Sequence, residues 1–286
     1  MRASAEPRIG GATHVVGIVG WPVAHSLSPA IHNAAFAAVG LDWVYVPLPV
    51  PPERLHPALH GLAPLGFSGA NVTMPHKTEA AGLIDKLSDD AKLLSAVNTI
   101  TVRGDELEGH NTDVAGFDRF LRRDAGFDPA GRSALVYGTG GAARACALAL
   151  GRAGLGHLTV VERAPGRAAP LESIAESAGL PVTVVGLERE DTLDVDLVVN
   201  ATPVGTDSEL PFGPAPTLRR DVIVVDLLYD PPVTALQRRA REAGATPFSG
   251  LGHLLQQAAL SFELWTGTPA PLEAMSAAAI AVLAAR

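Results

Sequence analysis

The sequence predicts an α/β protein in two halves, the second a doubly wound parallel sheet. Three features of the chain point to it. Short β-branched runs alternate with helical stretches through the first part of the chain. The pattern restarts at Ser133, where an apolar run leads straight into a glycine-rich turn and an alanine-rich helix. Hydrophobic residues make up 47% of the 286 residues, enough for a packed core and unlike a disordered chain. Strands each followed by a helix favour an α/β layer, and in series they favour a parallel sheet.

The first strand is expected at His14–Gly20, a β-branched run that ends in glycine. A loop with two prolines and two serines, Trp21 to Pro29, follows. Pro29 suits the first turn of a helix, expected at Ala30–Val39, with Ser28 as its possible N-cap. A second strand is expected at Trp43–Leu48, a helix at Pro51–Leu62 and a third strand at Gly69–Thr73. Ser95–Val102 reads as a further strand, paired with Leu107–Gly109 as a hairpin. In the second half, strands are expected at Ser133–Tyr137, His157–Val161, Pro181–Val185, Leu197–Asn200 and Val222–Asp226. Helices fill the gaps, for example Leu171–Ala178. The end reads as two helices, Gly252–Trp265 and one from about Leu272.

Composition narrows the function. Net charge is -8 and no basic patch is visible, so nucleic acid is excluded as a partner. Cys146 is the only cysteine; it permits no internal disulfide, fits a reducing cytoplasm and reads as a buried filler. Met1–Gly11 lacks the order of a signal peptide, Ala284–Arg286 carries no lipidation signal, and no run is long enough to cross a membrane. The nine histidines show no metal-binding spacing, so no metal is expected.

Chemistry concentrates in a few stretches. Asn71-Val72-Thr73-Met74-Pro75-His76-Lys77 offers an amide, a hydroxyl and an ammonium within seven residues. Pro75 biases Met74 away from the helical region, so the segment leaves its strand by a fixed turn. The chain has three lysines against nineteen arginines. A lysine kept in such a turn suggests a need for an amine that can lose its proton, which arginine cannot do. Asn111-Thr112-Asp113 sits between a strand and a helix, a usual place for binding groups. Gly138-x-Gly140-x-x-Ala143 follows a strand and opens a helix, the context in which this spacing binds a pyrophosphate. The ribose position at the end of the next strand holds Glu162 followed by Arg163. An acid there holds the hydroxyls of NAD and an arginine accepts the 2′-phosphate of NADP, so both cofactors stay open.

With these pieces in place, the sequence resembles the shikimate dehydrogenase family over nearly its whole length. The resemblance rests on Gly20-x-Pro22-x-x-His25-Ser26-x-Ser28-Pro29-x-x-His32-Asn33, Asn71-Val72-Thr73-x-Pro75-x-Lys77 and Ala96-Val97-Asn98-Thr99. It continues through Asn111-Thr112-Asp113-x-x-Gly116, Gly138-x-Gly140-Gly141-Ala142 and Asn200-Ala201-Thr202-Pro203-x-Gly205. Asp226-x-x-Tyr229-x-Pro231 and Gly250-Leu251-Gly252-x-Leu254-x-x-Gln257-Ala258 complete it. It implies an N-terminal α/β substrate-binding domain over 1–115, completed by C-terminal helices 253–286, and a Rossmann-type NAD(P) domain over 116–252. It implies NADP-linked interconversion of 3-dehydroshikimate and shikimate in chorismate and aromatic amino acid biosynthesis, by a monomer or homodimer. Ser26 and Ser28 would bind the substrate carboxylate. Asn71, Thr73, Asn98, Asp113, Tyr229 and Gln257 would surround the ring hydroxyls, with Lys77 and Asp113 the catalytic pair. Gly138, Thr139, Gly140, Gly141, Ala142, Glu162, Arg163, Thr202, Leu227 and Gly250 would line the cofactor.

The chain departs from the family's pattern in three places. Glu162-Arg163 replaces the common Asn-Arg pair, His253 replaces a usual Met, and Thr206 another. A quinate or aminoshikimate dehydrogenase using NAD is therefore the alternative. The Ser-Leu-Ser pattern favours shikimate, since quinate-preferring relatives often carry threonine at the second serine. A non-catalytic nucleotide-binding sensor would lack the Lys77 and Asp113 pair.

Overall fold

The computed structural model describes residues 9–187, 194–205 and 218–286. The chain forms two compact units: residues up to Thr112 together with Gln257–Arg286, and Asp113–Gln256. The expected boundaries, 115/116 and 252/253, lie three and four residues away from these.

The first unit contains β1 (His14–Gly20), α1 (Ser28–Val39), β2 (Trp43–Pro49), α2 (Leu55–His60), β3 (Phe67–Val72), α3 (Lys77–Ala81), β4 (Lys86–Leu87), α4 (Asp89–Leu94), β5 (Thr99–Arg103) and β6 (Glu106–His110). Its sheet runs β2-β1-β3-β5-β6-β4. β1 pairs in parallel with β2 and β3, while β5 is antiparallel to both β3 and β6. The expected hairpin is β5–β6. A core of Leu55, Leu59, Leu62, Val72, Ile84, Val97 and Ile100 packs on one side of this sheet.

Three expectations for this unit need correction. Ser95–Asn98 is not strand: Ser95 ends α4 at a left-handed φ of 46°, and extended pairing starts only at Thr99. The helix expected over Pro51–Leu62 is a 3-10 turn at Pro52–Arg54 followed by α2, because Pro57 and Gly61 keep it short. Ser28 is not an N-cap but the first residue of α1; the cap position belongs to Leu27, which offers no side-chain oxygen.

At the unit boundary α5 (Thr112–Arg123) begins. The second unit continues with β7 (Ser133–Tyr137), α6 (Gly141–Arg152), β8 (His157–Glu162), α7 (Ala169–Ser177), β9 (Val182–Gly186), β10 (Leu197–Asn200), β11 (Ile223–Asp226), α8 (Ala235–Ala243) and β12 (Thr246–Ser249). α9 (Leu251–Thr266) then carries the chain back into the first unit, which α10 (Leu272–Ala284) completes. The second sheet is parallel throughout, in the order β12-β11-β10-β7-β8-β9. Counted from β7, this is the 3-2-1-4-5-6 order of a dinucleotide-binding sheet. Its central strands β7 and β10 are apolar on both faces, as a sheet covered by helices requires. Cys146 is buried in α6, where burial pushes its thiol up and the Asp113 charge adds to the shift.

Candidate active site

In the first unit a buried polar network joins residues distant in sequence. The Ser26 hydroxyl accepts the Ser28 N–H at 3.2 Å, which holds the two serines together where α1 starts. Ser28 is 5% exposed and its hydroxyl donates to the Tyr45 phenol oxygen. Burial pushes the Tyr45 phenol well up, opposed by that bond, so it stays a neutral donor. Its hydroxyl donates to Asn71 Oδ1 at 2.7 Å. Asn33 fixes the Tyr45 backbone from α1 through a pair of bonds at 2.8 and 2.9 Å.

Asn71 Nδ2 lies within bonding distance of the Asn98 carbonyl, Thr99 Oγ1 and Ser261 Oγ, at 3.0, 3.0 and 3.1 Å. Thr99 and Ser261 share a bond of 2.8 Å. Asn98 Nδ2 donates to Thr112 Oγ1 at 2.9 Å, and Asn98 Oδ1 accepts the Thr112 N–H at 2.8 Å. Thr112 Oγ1 in turn donates to Gln257 Oε1 at 3.4 Å. The network thus brings Ser28, Asn71, Asn98 and Gln257 together. It adds Thr99 and Thr112, which lie in stretches the sequence singled out without a role of their own, and Tyr45 and Ser261, which it had not offered. Only regular spacing marks Ser261, on the inner face of α9.

The lysine turn is tied to the same place. Val72 N–H donates to the Asn98 carbonyl at 2.8 Å and Thr73 N–H to the Val19 carbonyl at 2.9 Å. Thr73 is half-buried at the carboxyl end of β3. Lys77 is the first residue of α3, half-buried, and its carbonyl accepts the Val97 N–H at 2.9 Å, one residue before Asn98. Beneath it His76 is 1% exposed and its Nε2 meets the Val50 carbonyl at 2.7 Å. Trp265 packs beside Tyr45, its indole N–H donating to the Ile100 carbonyl at 2.9 Å.

The second unit builds its site from backbone. Gly138 ends β7 at a φ of 104°, a conformation that side chains rarely adopt, and Thr202 Cγ2 and the Ala201 carbonyl crowd its Cβ position. Gly140 is the N-cap of α6 and, having no side chain, leaves the first N–H groups of the helix uncapped. A Cβ on Gly140 would enter open space, and no acid sits in the first turn. Thr139, Gly140, Gly141 and Ala142 are half-buried or exposed. Such an uncapped, positive helix end at the β7/β10 switch point suits a pyrophosphate.

The adjoining strand ends are held rigidly. Asn200 Nδ2 donates to Asp226 Oδ1 at 2.9 Å, and Thr202 donates through its hydroxyl to Asn200 Oδ1 at 2.7 Å. Asp226 is fully buried, also accepts from Thr234 Oγ1 at 2.7 Å, and is pushed up by that burial. A Cβ on Gly250 would collide with the Leu227 carbonyl, so only glycine lets these two segments touch. Tyr229 is half-buried on the turn after β11. Asp113, 8% exposed, is the second residue of α5, and His253 Nε2 meets its carbonyl at 3.1 Å. Glu162 ends β8 with its carboxylate on the backbone N–H groups of Gly166 and Ala168, while Arg163 is exposed. Thr206 lies outside the described residues. Among the described residues no cluster suits a metal ion, and no helix is long and apolar enough to cross a membrane.

This fold and these sites define a class: a two-unit protein with a parallel dinucleotide-binding sheet and a separate polar site for a small hydroxylated ligand. Comparisons narrow the class. A profile of the shikimate dehydrogenase substrate binding domain matches residues 18–100, and one of the shikimate 5′-dehydrogenase C-terminal domain matches 250–280. A shikimate dehydrogenase (NADP(+)) of Methanopyrus kandleri is 45% identical over 285 residues, 97% of this chain and 98% of its own. A crystal structure of a shikimate dehydrogenase in complex with NADP+ superposes with a TM-score of 0.90 at 38% identity, covering 96% of this chain and 97% of that one. The Thermus thermophilus enzyme in complex with NADP(H) and shikimate gives 0.84 at 38% identity, covering 95% and 100%. The chain belongs to the shikimate dehydrogenase family.

Proposed function

We propose that this chain is an NADP-dependent oxidoreductase that interconverts 3-dehydroshikimate and shikimate in aromatic amino acid biosynthesis. What carries the reading is the buried network from Ser28 to Gln257. It gathers hydroxyls and amides at the carboxyl end of β3, where Thr73 and Lys77 stand. A ring bearing several hydroxyls needs such groups, and an analogue that leaves them unpaired is rejected. Asn71 has two amide protons for three acceptors, so one bond is exchangeable for a ligand hydroxyl.

The serine hydroxyls bind the substrate carboxylate, Ser26 directly and Ser28 by turning its one proton from the Tyr45 phenol to the ligand, each bond to a charged acceptor contributing about 1.5–3 kcal/mol. Ser28 is packed against Tyr45, which leaves little room for the added methyl of a threonine. NADP, when bound, supplies or accepts the hydride at the reacting carbon. In the direction of reduction Lys77 as an ammonium gives its proton to the oxygen that becomes the hydroxyl; in oxidation the amine takes it back. Asp113 orients the same hydroxyl and balances the ammonium charge. Gln257, bonded to Thr112, sets the ring's register beside Asn98. The glycine turn Gly138–Ala142 takes the pyrophosphate, and Arg163 the 2′-phosphate.

The chain acts as a monomer or a homodimer. A single buried thiol suits the cytoplasm. The test is an absorbance assay at the nicotinamide band with the purified protein. Shikimate should reduce NADP+ far faster than NAD+. Turnover of quinate or an aminated analogue, with none of shikimate, would overturn the reading.

A further inference from the structure

Glu162 stands where a ribose-binding acid belongs, yet its carboxylate is turned back on its own chain. Oε1 accepts the Gly166 N–H at 3.1 Å and Oε2 the Ala168 N–H at 2.9 Å. Between these anchors Arg167 N–H donates to the Ala164 carbonyl at 3.3 Å, and Gly166 takes a φ of 81°. Residues 162–168 therefore close into a ring, with a carboxylate on one side and a backbone turn on the other. Ala168 is the N-cap of α7 and is 1% exposed; it has no side chain to cap that helix. Glu162 supplies the missing acceptor and a negative charge at the helix's positive end. Arg163 and Arg167 are both exposed on this ring, and Arg167 lies between the two clamped amides.

We infer that Glu162 is a positioning residue for cofactor choice: it folds residues 163–168 so that Arg163 and Arg167 share one rigid loop for the 2′-phosphate of NADP. Charge-assisted bonds from backbone donors occupy both carboxylate oxygens, so the acid is committed to the loop rather than to the ribose. One carboxylate against two guanidinium groups leaves the loop positive. An acid at this position then strengthens NADP binding, the opposite of what a ribose-reading acid does. The inference rests on the NADP-linked reading above.

The test compares wild type, Glu162→Ala and Glu162→Gln by calorimetric titration with NADP+ and NAD+, together with amide hydrogen exchange of the free protein. Glu162→Ala should weaken NADP+ about tenfold while NAD+ moves less than about twofold. Glu162→Gln keeps one acceptor and should fall between. Exchange at Gly166 and Ala168 should quicken in both variants without any ligand present. Tighter or unchanged NADP+ binding in Glu162→Ala would sink the inference. If wild type prefers NADP+ and only the variants fail to respond, the functional reading stands and Glu162 alone loses its role. A wild type that binds no NADP+ overturns both.

Discussion

The candidate sites of the two units are built in opposite ways. In the first, the groups at the site are side chains that bond one another: Ser28, Tyr45, Asn71, Thr99, Ser261, Asn98, Thr112 and Gln257 form one chain of contacts. In the second, the central feature is an absence of side chains, at Gly138, Gly140 and Gly141, with bare N–H groups at the start of α6. A connected side-chain network in a buried setting is costly unless every member is satisfied, and it fits one pattern of hydroxyls. A bare helix end reads only a negative charge and serves any pyrophosphate. On the proposed reading, selectivity for substrate resides in a network, and selectivity for cofactor in the few side chains beyond the glycine turn.

The largest expected effect tests whether chemistry can be separated from that network. Lys77 lies at its edge, on the first turn of α3. Lys77→Ala should lower turnover by roughly 10²–10⁴-fold, the usual worth of a positioned acid or base, with a much smaller loss of shikimate affinity. Steady-state kinetics and equilibrium binding on the folded variant decide it. Near-normal turnover would remove Lys77 from the mechanism.

The next effect concerns the wall behind the network. His32 is fully buried, stacked on Tyr45 with ring centroids 4.5 Å apart and planes at 9°, and flanked by Trp265 at 5.2 Å. Neither ring nitrogen has a hydrogen-bond partner among the described residues, and burial pushes the imidazole down to about 3 from its ordinary 6.5. Because the folded value is depressed, the unfolded chain binds the proton first. The stability this neutral histidine allows is complete above pH 6.5 and is lost as pH falls from 6.5 toward 3. The slope is about 1.4 kcal/mol per pH unit, for a total of several kcal/mol at most. Denaturant melts across that window should show the loss in wild type and a flatter curve in His32→Phe, whose ring fits the same stack. Equal slopes in the two proteins would refute the assignment.

A smaller effect distinguishes the two units directly. Replacing Ser26 and Ser28 together with alanine should weaken shikimate binding by about tenfold to a hundredfold, the worth of one or two hydrogen bonds to a charged group. NADP+ binding should stay as it was, since both serines lie in the first unit. Calorimetry with each ligand measures both. Unchanged shikimate affinity would move the carboxylate elsewhere.

The same contrast explains what could be read from the sequence. The glycine turn is local: a strand, a spacing and a helix lie within a short span, so Gly138, Gly140 and Gly141 were legible without a structure. Five strands of the second sheet are legible because each is a compact apolar run, as at Leu197–Asn200, whereas β12 is too polar to be read. The network was only partly legible. Motifs pointed to Ser28, Asn71, Asn98 and Gln257, but Tyr45 looked like an ordinary strand residue and Ser261 like an ordinary helix residue. Their roles depend on partners 26 and 190 positions away. Ser95–Asn98 misled because its β-branched neighbours suggest a strand, whereas a left-handed Ser95 turns the chain first. Glu162 stayed open for a different reason: its position is plain from the motif, but a rotamer that reaches Gly166 and Ala168 cannot be read from residue order.

The last prediction concerns Arg163, one of the two cationic side chains proposed to meet the 2′-phosphate. Arg163 directly follows Glu162 and is exposed, while the neighbouring carboxylate is held by two backbone donors. Its guanidinium is thus available to a 2′-phosphate, which NADP has and NAD lacks. In an exposed setting water and salt screen the attraction, so the gain should be modest and should shrink as ionic strength rises. Arg163→Ala should lower the NADP/NAD ratio of kcat/KM by at least about tenfold, equivalent to 1.4 kcal/mol, mostly through KM for NADP. NAD-linked rates should change far less, since no phosphate is lost there. Measuring kcat/KM for both cofactors at low and high salt, in wild type and variant, tests charge and specificity at once. A wild type that uses NAD more efficiently, with Arg163→Ala leaving the ratio where it was, would place cofactor choice outside this loop altogether.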